Sequence, residues 1–243
     1  MSNKRKAALI IALLVFCIGL AMVVAPMIHG QVLEQRQTQQ TVAFLEQIQQ
    51  IRQPADSLEK LDTSIVDGPY QALWEDMVAY NTRLIDDQSS SFNSPEAYEQ
   101  VSFNLADYGL DSEVFGILKI PALELEIPLY LGANYSNLAK GAAHLSETSL
   151  PIGGESTNCV VAGHRGWQGG EYFLHLTRLK AGDIVEITNP WETLTYKVMS
   201  TEDIGSTDTH KVYIQDGEDL LTLLTCDYGA GVKYRYIVVC ERV

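Results

Sequence analysis

The sequence predicts a mainly β domain, a barrel or sandwich, from about residue 112 to the end of the 243-residue chain, with helices before it. Three observations support this fold class: short runs after residue 112 are β-branched or alternating, Gly, Pro and Asn separate them, and few long helical patterns lie between them. Seven or eight strands are expected. The runs are FGILKI, LELEIPLYL, NCVVAGH, DIVEIT, ETLTYKVMS, LLTLLTC and RYIVVCERV.

The N-terminus carries a predicted membrane anchor. Residues 7–28 are uncharged and apolar, and such a run of about 22 residues crosses a hydrocarbon core of about 30 Å. Basic residues 4–6 precede it, so the positive-inside tendency places the N-terminus in the cytoplasm and the rest outside the cell. A cleaved signal peptide, with Ala21 or Ala25 near the cleavage site, is the alternative. The run exceeds a typical signal-peptide core, which favours a single-pass anchor.

Two helices are predicted between the anchor and the β domain. Residues 31–52 lack Gly and Pro and repeat apolar residues every three positions from Val42, which indicates a helical stalk that ends at Pro54. A second helix follows Pro69. Its apolar face is formed by Leu73, Met77, Tyr80 and Leu84.

The segment 86–95 is polar and aperiodic, so we predict a mobile loop there. The predicted regions are therefore a basic tip and anchor over residues 1–30, a stalk with a helical and loop region over 31–111, and a β domain over 112–243.

The exported part is strongly acidic. It contains 14 basic and 31 acidic residues, a formal charge of −17, since three of the 17 basic residues precede the anchor. Such a surface repels phosphates, and we exclude nucleic acid as a partner.

The cysteines indicate at least one free thiol. Cys17 lies in the apolar run predicted to cross the membrane, which leaves three cysteines, an odd number, in an oxidising compartment. A bridge between Cys159 and Cys240 and two buried free thiols remain alternatives. The Cys and His spacings match no zinc motif, so neither a metal nor another cofactor is implied.

Cys226 is the candidate nucleophile because it ends the apolar run LLTLLTC, where a strand meets a turn and displays its side chain. A nucleophilic thiol needs a base, and His164 is the candidate because it ends another apolar run between Gly163 and Gly166. His144, also among small residues, is its rival. The alternative for Cys226 is a structural role in a membrane-anchored adhesion or scaffold protein.

Arg235 lies nine residues after Cys226, across a glycine-containing turn. If the two flanking runs pair as a hairpin, Arg235 begins the returning strand beside the thiol. A guanidinium there could stabilise a developing oxyanion. A solvated arginine at a strand end is the alternative.

These residues resemble the motifs of the sortase family. TLLTC at 222–226 is similar to the family's cysteine signature, GHRG at 163–166 to its histidine motif, and Arg235 stands where its essential arginine follows. The resemblance covers about residues 70–243. AYNTRL at 79–84 and HLSETSLPIGG at 144–154 are most similar to class C, the pilin-polymerising sortases.

Three features depart from class C. Asp227 and Tyr228 replace the usual residues after the cysteine, the segment DDQSSSFNSPEAY lacks the Asp-Pro-aromatic lid triplet, and no second membrane run follows the last strand. A class B-like or accessory sortase is therefore the alternative within the family.

The resemblance implies a closed β-barrel and a cysteine transpeptidase on a Gram-positive cell surface. Cys226 would attack an LPxTG-like sorting signal, and the thioacyl group would pass to an amine of a pilin lysine or a cell-wall precursor. His164 would act as acid and base, Arg235 would steady the thioacyl oxygen, and Thr225 would contact the substrate. A cysteine peptidase that releases the acyl group to water is the rival function.

Overall fold

The computed structural model describes residues 3–56, 70–91, 103–110, 112–205, 208–226 and 234–243. Helix α1 (Asn3–Asp56) joins the apolar run and the stalk in one continuous helix of 54 residues. It ends two residues beyond the predicted stop at Pro54, because a proline in the last turn removes only one hydrogen bond before the helix ends. Within the described residues, α1 is the one helix that is long and apolar enough to cross a membrane, and its most apolar window has a mean hydropathy of 2.8.

Helix α2 (Gln71–Ser91) confirms the predicted second helix. Three of its four predicted core residues are buried, and Tyr80 is half-buried. The helix continues to Ser91, so the loop prediction is wrong from residue 86 to 91, while residues 92–95 lie outside the described residues. The polar stretch lacks apolar periodicity, but a helix needs only its backbone hydrogen bonds to continue.

Eight strands form the predicted closed barrel, in the order β1-β2-β3-β4-β9-β10-β8-β7, and β5 and β6 form a separate two-stranded sheet. Each of the seven predicted runs contains a strand. The strands are β1 (Val114–Ile120), β2 (Leu125–Leu131), β3 (Ala142–His144), β4 (Thr157–Ala162), β5 (Arg165–Trp167), β6 (Gly170–Tyr172), β7 (Ile184–Thr188), β8 (Thr193–Gly205), β9 (Asp219–Cys226) and β10 (Tyr234–Arg242).

Alternating residues of the barrel strands belong to two different apolar clusters. In β4 and β9, Val161 and Leu223 belong to the barrel core, whereas Ala162 and Leu224 belong to a second cluster that includes Phe44 of α1. This alternation follows from the two-residue period of a strand. The second cluster packs the stalk part of α1 against the outside of the barrel.

Polar contacts fix α1 along its length. Gln37 donates to the carbonyl of Lys140 at 2.9 Å, and the Tyr130 hydroxyl donates to Gln40 at 2.9 Å. Nearer the end of the helix, Arg52 donates to the carbonyl of Asn189 at 2.8 Å. The helix therefore has a defined position against the barrel over residues 37–52.

Candidate active site

The strand register brings the three predicted catalytic residues to one edge of the barrel. Strands β4 and β9 are parallel with Ala162 opposite Leu224, and His164 and Cys226 each follow two residues later. Strands β9 and β10 are antiparallel, with Arg235 directly opposite Cys226, which confirms the predicted hairpin. Since neighbouring strands lie about 4.8 Å apart, Cys226 has the histidine on one side and the arginine on the other.

Cys226 is the accessible thiol of the barrel. The alternation of β9 points Leu223 and Thr225 inward and Cys226 outward, and its side chain is partly exposed. Cys159 and Cys240 are buried at 2% and 0% exposure, and all four cysteines are free, so the structure contains two buried thiols in place of the alternative bridge.

The two buried thiols also resist ionisation to the thiolate. Burial raises the pKa of Cys240 to about 12. Burial, reinforced by the charge of Asp219, raises the pKa of Cys159 still further. Because the thiolate is the nucleophile, these two side chains are poor candidates for covalent chemistry.

The ring of His164 lies in an aromatic pocket. It stacks on Trp167 with centroids 4.8 Å apart and meets Tyr172 edge to face at 5.9 Å. Burial lowers the pKa of His164 below its usual value. Its Nε2 atom is buried and makes no hydrogen bond to the described residues.

The segment that carries His164 is attached to β9 by its backbone. Gly163 donates its N–H to Leu224 at 3.1 Å, and its carbonyl accepts the Thr225 hydroxyl at 2.8 Å. A Cβ on Gly163 would lie 2.7 Å from the Phe173 ring, which explains why glycine precedes the histidine. Strand β9, which ends at Cys226, therefore holds the segment that carries His164.

Thr225 has a buried hydroxyl. The residue is 1% exposed, and its hydroxyl hydrogen is donated to Gly163. A substrate contact by Thr225 stays a prediction, and this geometry restricts it to the backbone.

His144 lies in a setting that suits structure rather than catalysis. It ends β3 with 0% exposure, and its Nε2 lies 3.1 Å from the Thr148 carbonyl oxygen. Burial lowers its pKa to about 4. The rival base is thus enclosed, whereas His164 borders the exposed edge.

Arg165 is a further residue at the site that the sequence interpretation missed. Its Nη1 donates to the carbonyl of Cys226 at 3.4 Å. Its position next to His164 in GHRG could have indicated a role at the site, but its contact with the Cys226 carbonyl on β9 depends on the fold. Arg235 lies opposite Cys226 in the strand register and donates to the carbonyl of Tyr234 at 3.0 Å, so two arginines accompany Cys226 at this edge.

The pKa of His164 is expected to depend on burial of its ring by Trp167. We expect a pKa below 6.5 for His164 in the wild type and a rise toward 6.5 in Trp167→Ala, because water stabilises the imidazolium once the stacking ring is gone. The matched control Trp167→Phe keeps a stacking ring and should change this pKa little. Titration of the ring protons by NMR in a Cys226→Ala background avoids coupling to the thiol. An unchanged pKa in Trp167→Ala would show that burial by this ring is not the cause.

Residues 118–243 match the family model described as a Sortase domain. A protein named Sortase A from Bacillus anthracis is 26% identical over 242 residues, which are 99% of this chain and 97% of that protein. Sortase D from Bacillus subtilis is 29% identical over 131 residues, covering 53% of this chain and 63% of that protein.

Solved structures of other sortases share the fold. Sortase C1 of GBS Pilus Island 1 has a TM-score of 0.67 and 28% identity and covers 85% of this chain and 92% of its own. Sortase C-1 from Streptococcus pneumoniae has a TM-score of 0.65 and 30% identity and covers 82% of this chain and 98% of its own.

Proposed function

This chain is a cysteine transpeptidase of the sortase family, and from that premise we propose that it joins LPxTG-like surface proteins or pilins to an amine at the outer face of the cell membrane. The acceptor is a pilin lysine or a cell-wall precursor. The observation that carries the proposal is the register of β4, β9 and β10, which brings the positions of His164, two residues past the end of β4, Cys226 and Arg235 to the same edge of the barrel.

In the first step, the thiolate of Cys226 attacks the carbonyl carbon of the threonine in the sorting signal. The carbon–nitrogen bond to glycine breaks as protonated His164 gives its proton to the leaving amine, and a thioester remains on the enzyme. Arg235, opposite Cys226 in the register of β9 and β10, is the group that would stabilise the negative charge that develops on the carbonyl oxygen.

In the second step, neutral His164 removes a proton from the incoming amine. The amine attacks the thioester, the carbon–sulfur bond breaks, and the thiolate of Cys226 returns. One ring nitrogen donates and then accepts a proton in turn, which suits the imidazole of His164.

The membrane anchor supports the choice of substrate. The apolar run of α1 holds the enzyme in the membrane with its barrel outside, and a surface protein that carries its own membrane tail is confined to the same surface. Confinement raises the effective concentration of the two partners without any new contact. Pilus assembly is the favoured setting because structures named as pilus sortases share both fold and sequence with this chain.

Competition between an amine and water tests the proposed reaction. The purified enzyme is incubated with an LPxTG-type peptide and increasing amounts of an amine acceptor, and products are separated by mass. We expect the ligated product to replace the hydrolysed one as the amine increases. Hydrolysis alone at every amine concentration would favour the peptidase alternative.

Two arginines near the thiol allow the oxyanion role to be assigned. Arg235→Lys is expected to lower kcat by about 10²–10³-fold, because a point charge cannot reproduce the planar fork of a guanidinium. Arg165→Lys is the matched control, and it should keep most of the turnover, since a lysine can still donate to the Cys226 carbonyl. The opposite ranking of kcat would transfer the oxyanion role to Arg165.

A further inference from the structure

The hairpin that follows His164 contacts α1 through glycine. A Cβ on Gly30 would lie 2.5 Å from the carbonyl oxygen of Gly169, and a Cβ on Gly169 would overlap the carbonyl of Pro26. His29 Nδ1 lies within hydrogen-bond distance of the Gln168 carbonyl, at 3.0 Å. The tip of the β5–β6 hairpin is therefore in backbone contact with the helix.

These contacts occur at the depth of a lipid headgroup layer. The apolar run of α1 ends at Ile28, and Leu33, which meets Gly170, lies about 7.5 Å farther along the helix at about 1.5 Å per residue. Each polar layer of a bilayer adds roughly 5–8 Å to the hydrocarbon core. The contact points run from Pro26, in the last turn of the apolar run, to Leu33, so they cross the boundary between the hydrocarbon core and that layer.

An exposed apolar surface lies beside this hairpin, formed by Tyr135 of the short helix Tyr135–Leu138, Trp167 of β5 and Leu174, two residues after β6. Tyr135 is 70% exposed and Leu174 is 41% exposed. The Tyr135 ring meets the partly exposed Trp167 ring edge to face, with centroids 6.3 Å apart, and the Leu174 side chain lies beside Gly166. Tyr and Trp are the residues that prefer the membrane interface, where their rings are half in apolar surroundings.

We propose that Tyr135, Trp167 and Leu174, here called the hairpin surface, lie in the interface of the membrane that holds α1. This inference depends on the proposed anchoring. Since Trp167 also stacks on His164, the membrane then borders the catalytic histidine, and the edge with Cys226 opens at the bilayer surface. A sorting signal only a short distance from its own membrane tail fits such a site.

The attraction is apolar rather than ionic. The exported part carries a formal charge of −17, so anionic headgroups repel it overall. We therefore expect the contact to form on zwitterionic lipids and to persist at high salt.

Tryptophan quenching by brominated lipids tests the inference in the full-length protein. Trp74→Phe/Trp191→Phe leaves Trp167 as the sole tryptophan, and bilayers carry bromine at either shallow or deep positions. We expect strong quenching that is greatest with shallow bromine.

The other two tryptophans provide a matched control. Trp74 and Trp191 pack together with centroids 5.0 Å apart, and Trp191 adjoins the residue pair 189–190 that Arg52 contacts. Arg52 is about 36 Å beyond Ile28 along the helix. Trp167→Phe, which keeps this pair, should show little quenching.

Surface variants and flotation with vesicles distinguish a failure of the interface inference from a failure of the anchor. Tyr135→Ser/Leu174→Ser should reduce Trp167 quenching at least about twofold, whereas Met199→Ser, at an exposed position on β8, should not. If the protein floats with vesicles but Trp167 is quenched no more than the control pair, the inference fails while the anchor stands. If the full chain does not float, both the anchor and the inference fail.

Discussion

Cys226→Ala is expected to lower transpeptidation by on the order of 10⁴-fold or more, because no thioester can form without the sulfur. The fold should survive, since Cys226 is partly exposed at the end of β9, and such positions contribute little to stability. Turnover of an LPxTG-type peptide and the unfolding temperature measure the two effects separately.

Cys240→Ala is the matched control for this prediction. It removes a buried thiol from the barrel core, so it should lower the unfolding temperature while keeping turnover. In the wild type, a thiol reagent should modify Cys226 before Cys159 and Cys240. Normal turnover in Cys226→Ala, or equal labelling rates for the three barrel thiols, would reject the nucleophile role.

His164→Ala is expected to lower turnover by about 10²–10⁴-fold, because the leaving and incoming amines lose the group that exchanges their protons. The half-buried ring makes aromatic contacts with Trp167 and Tyr172, so a modest loss of stability should accompany the kinetic effect. Steady-state kinetics with a measured folded fraction separate the two.

Two other histidines serve as controls for His164→Ala. His175→Ala changes a histidine near the exposed Glu171 and should keep turnover. His144→Ala removes a buried ring that contacts Thr148 and should act through stability. An active His164→Ala with a folded but inactive His144→Ala would reassign the base.

Local patterns in the sequence predicted much of the barrel. All seven runs with strand character contain strands, because alternation and β-branched residues act over a few neighbouring positions. Strands β3, β5 and β6 were missed, since each spans three residues and so shows no period. Their pairing depends on partners remote in sequence.

The residues proposed for the site could be selected from the sequence, but their arrangement could not. Cys226 and His164 could be recognised at the ends of apolar runs, and the glycine turn suggested the hairpin with Arg235. The parallel pairing of β4 with β9 joins residues 62 positions apart, as in the pair of Ala162 and Leu224, and no local pattern encodes that register. The Arg165 contact depends on this tertiary register.

The contact between α1 and the β5–β6 hairpin likewise could not be predicted from the sequence. Gly30 and Gly169 each suggest local flexibility when considered alone. Only their close approach in the fold shows that both positions need glycine for the same contact.

Intact-protein mass spectrometry can detect the proposed thioester on Cys226. Wild-type enzyme incubated with an LPxTG-type peptide and no amine should gain the mass of the peptide up to its threonine, with the adduct mapped to Cys226. Addition of an amine should remove this mass and yield the ligated peptide. An adduct on another residue, or turnover by a Cys226→Ala enzyme, would show that Cys226 is not the nucleophile.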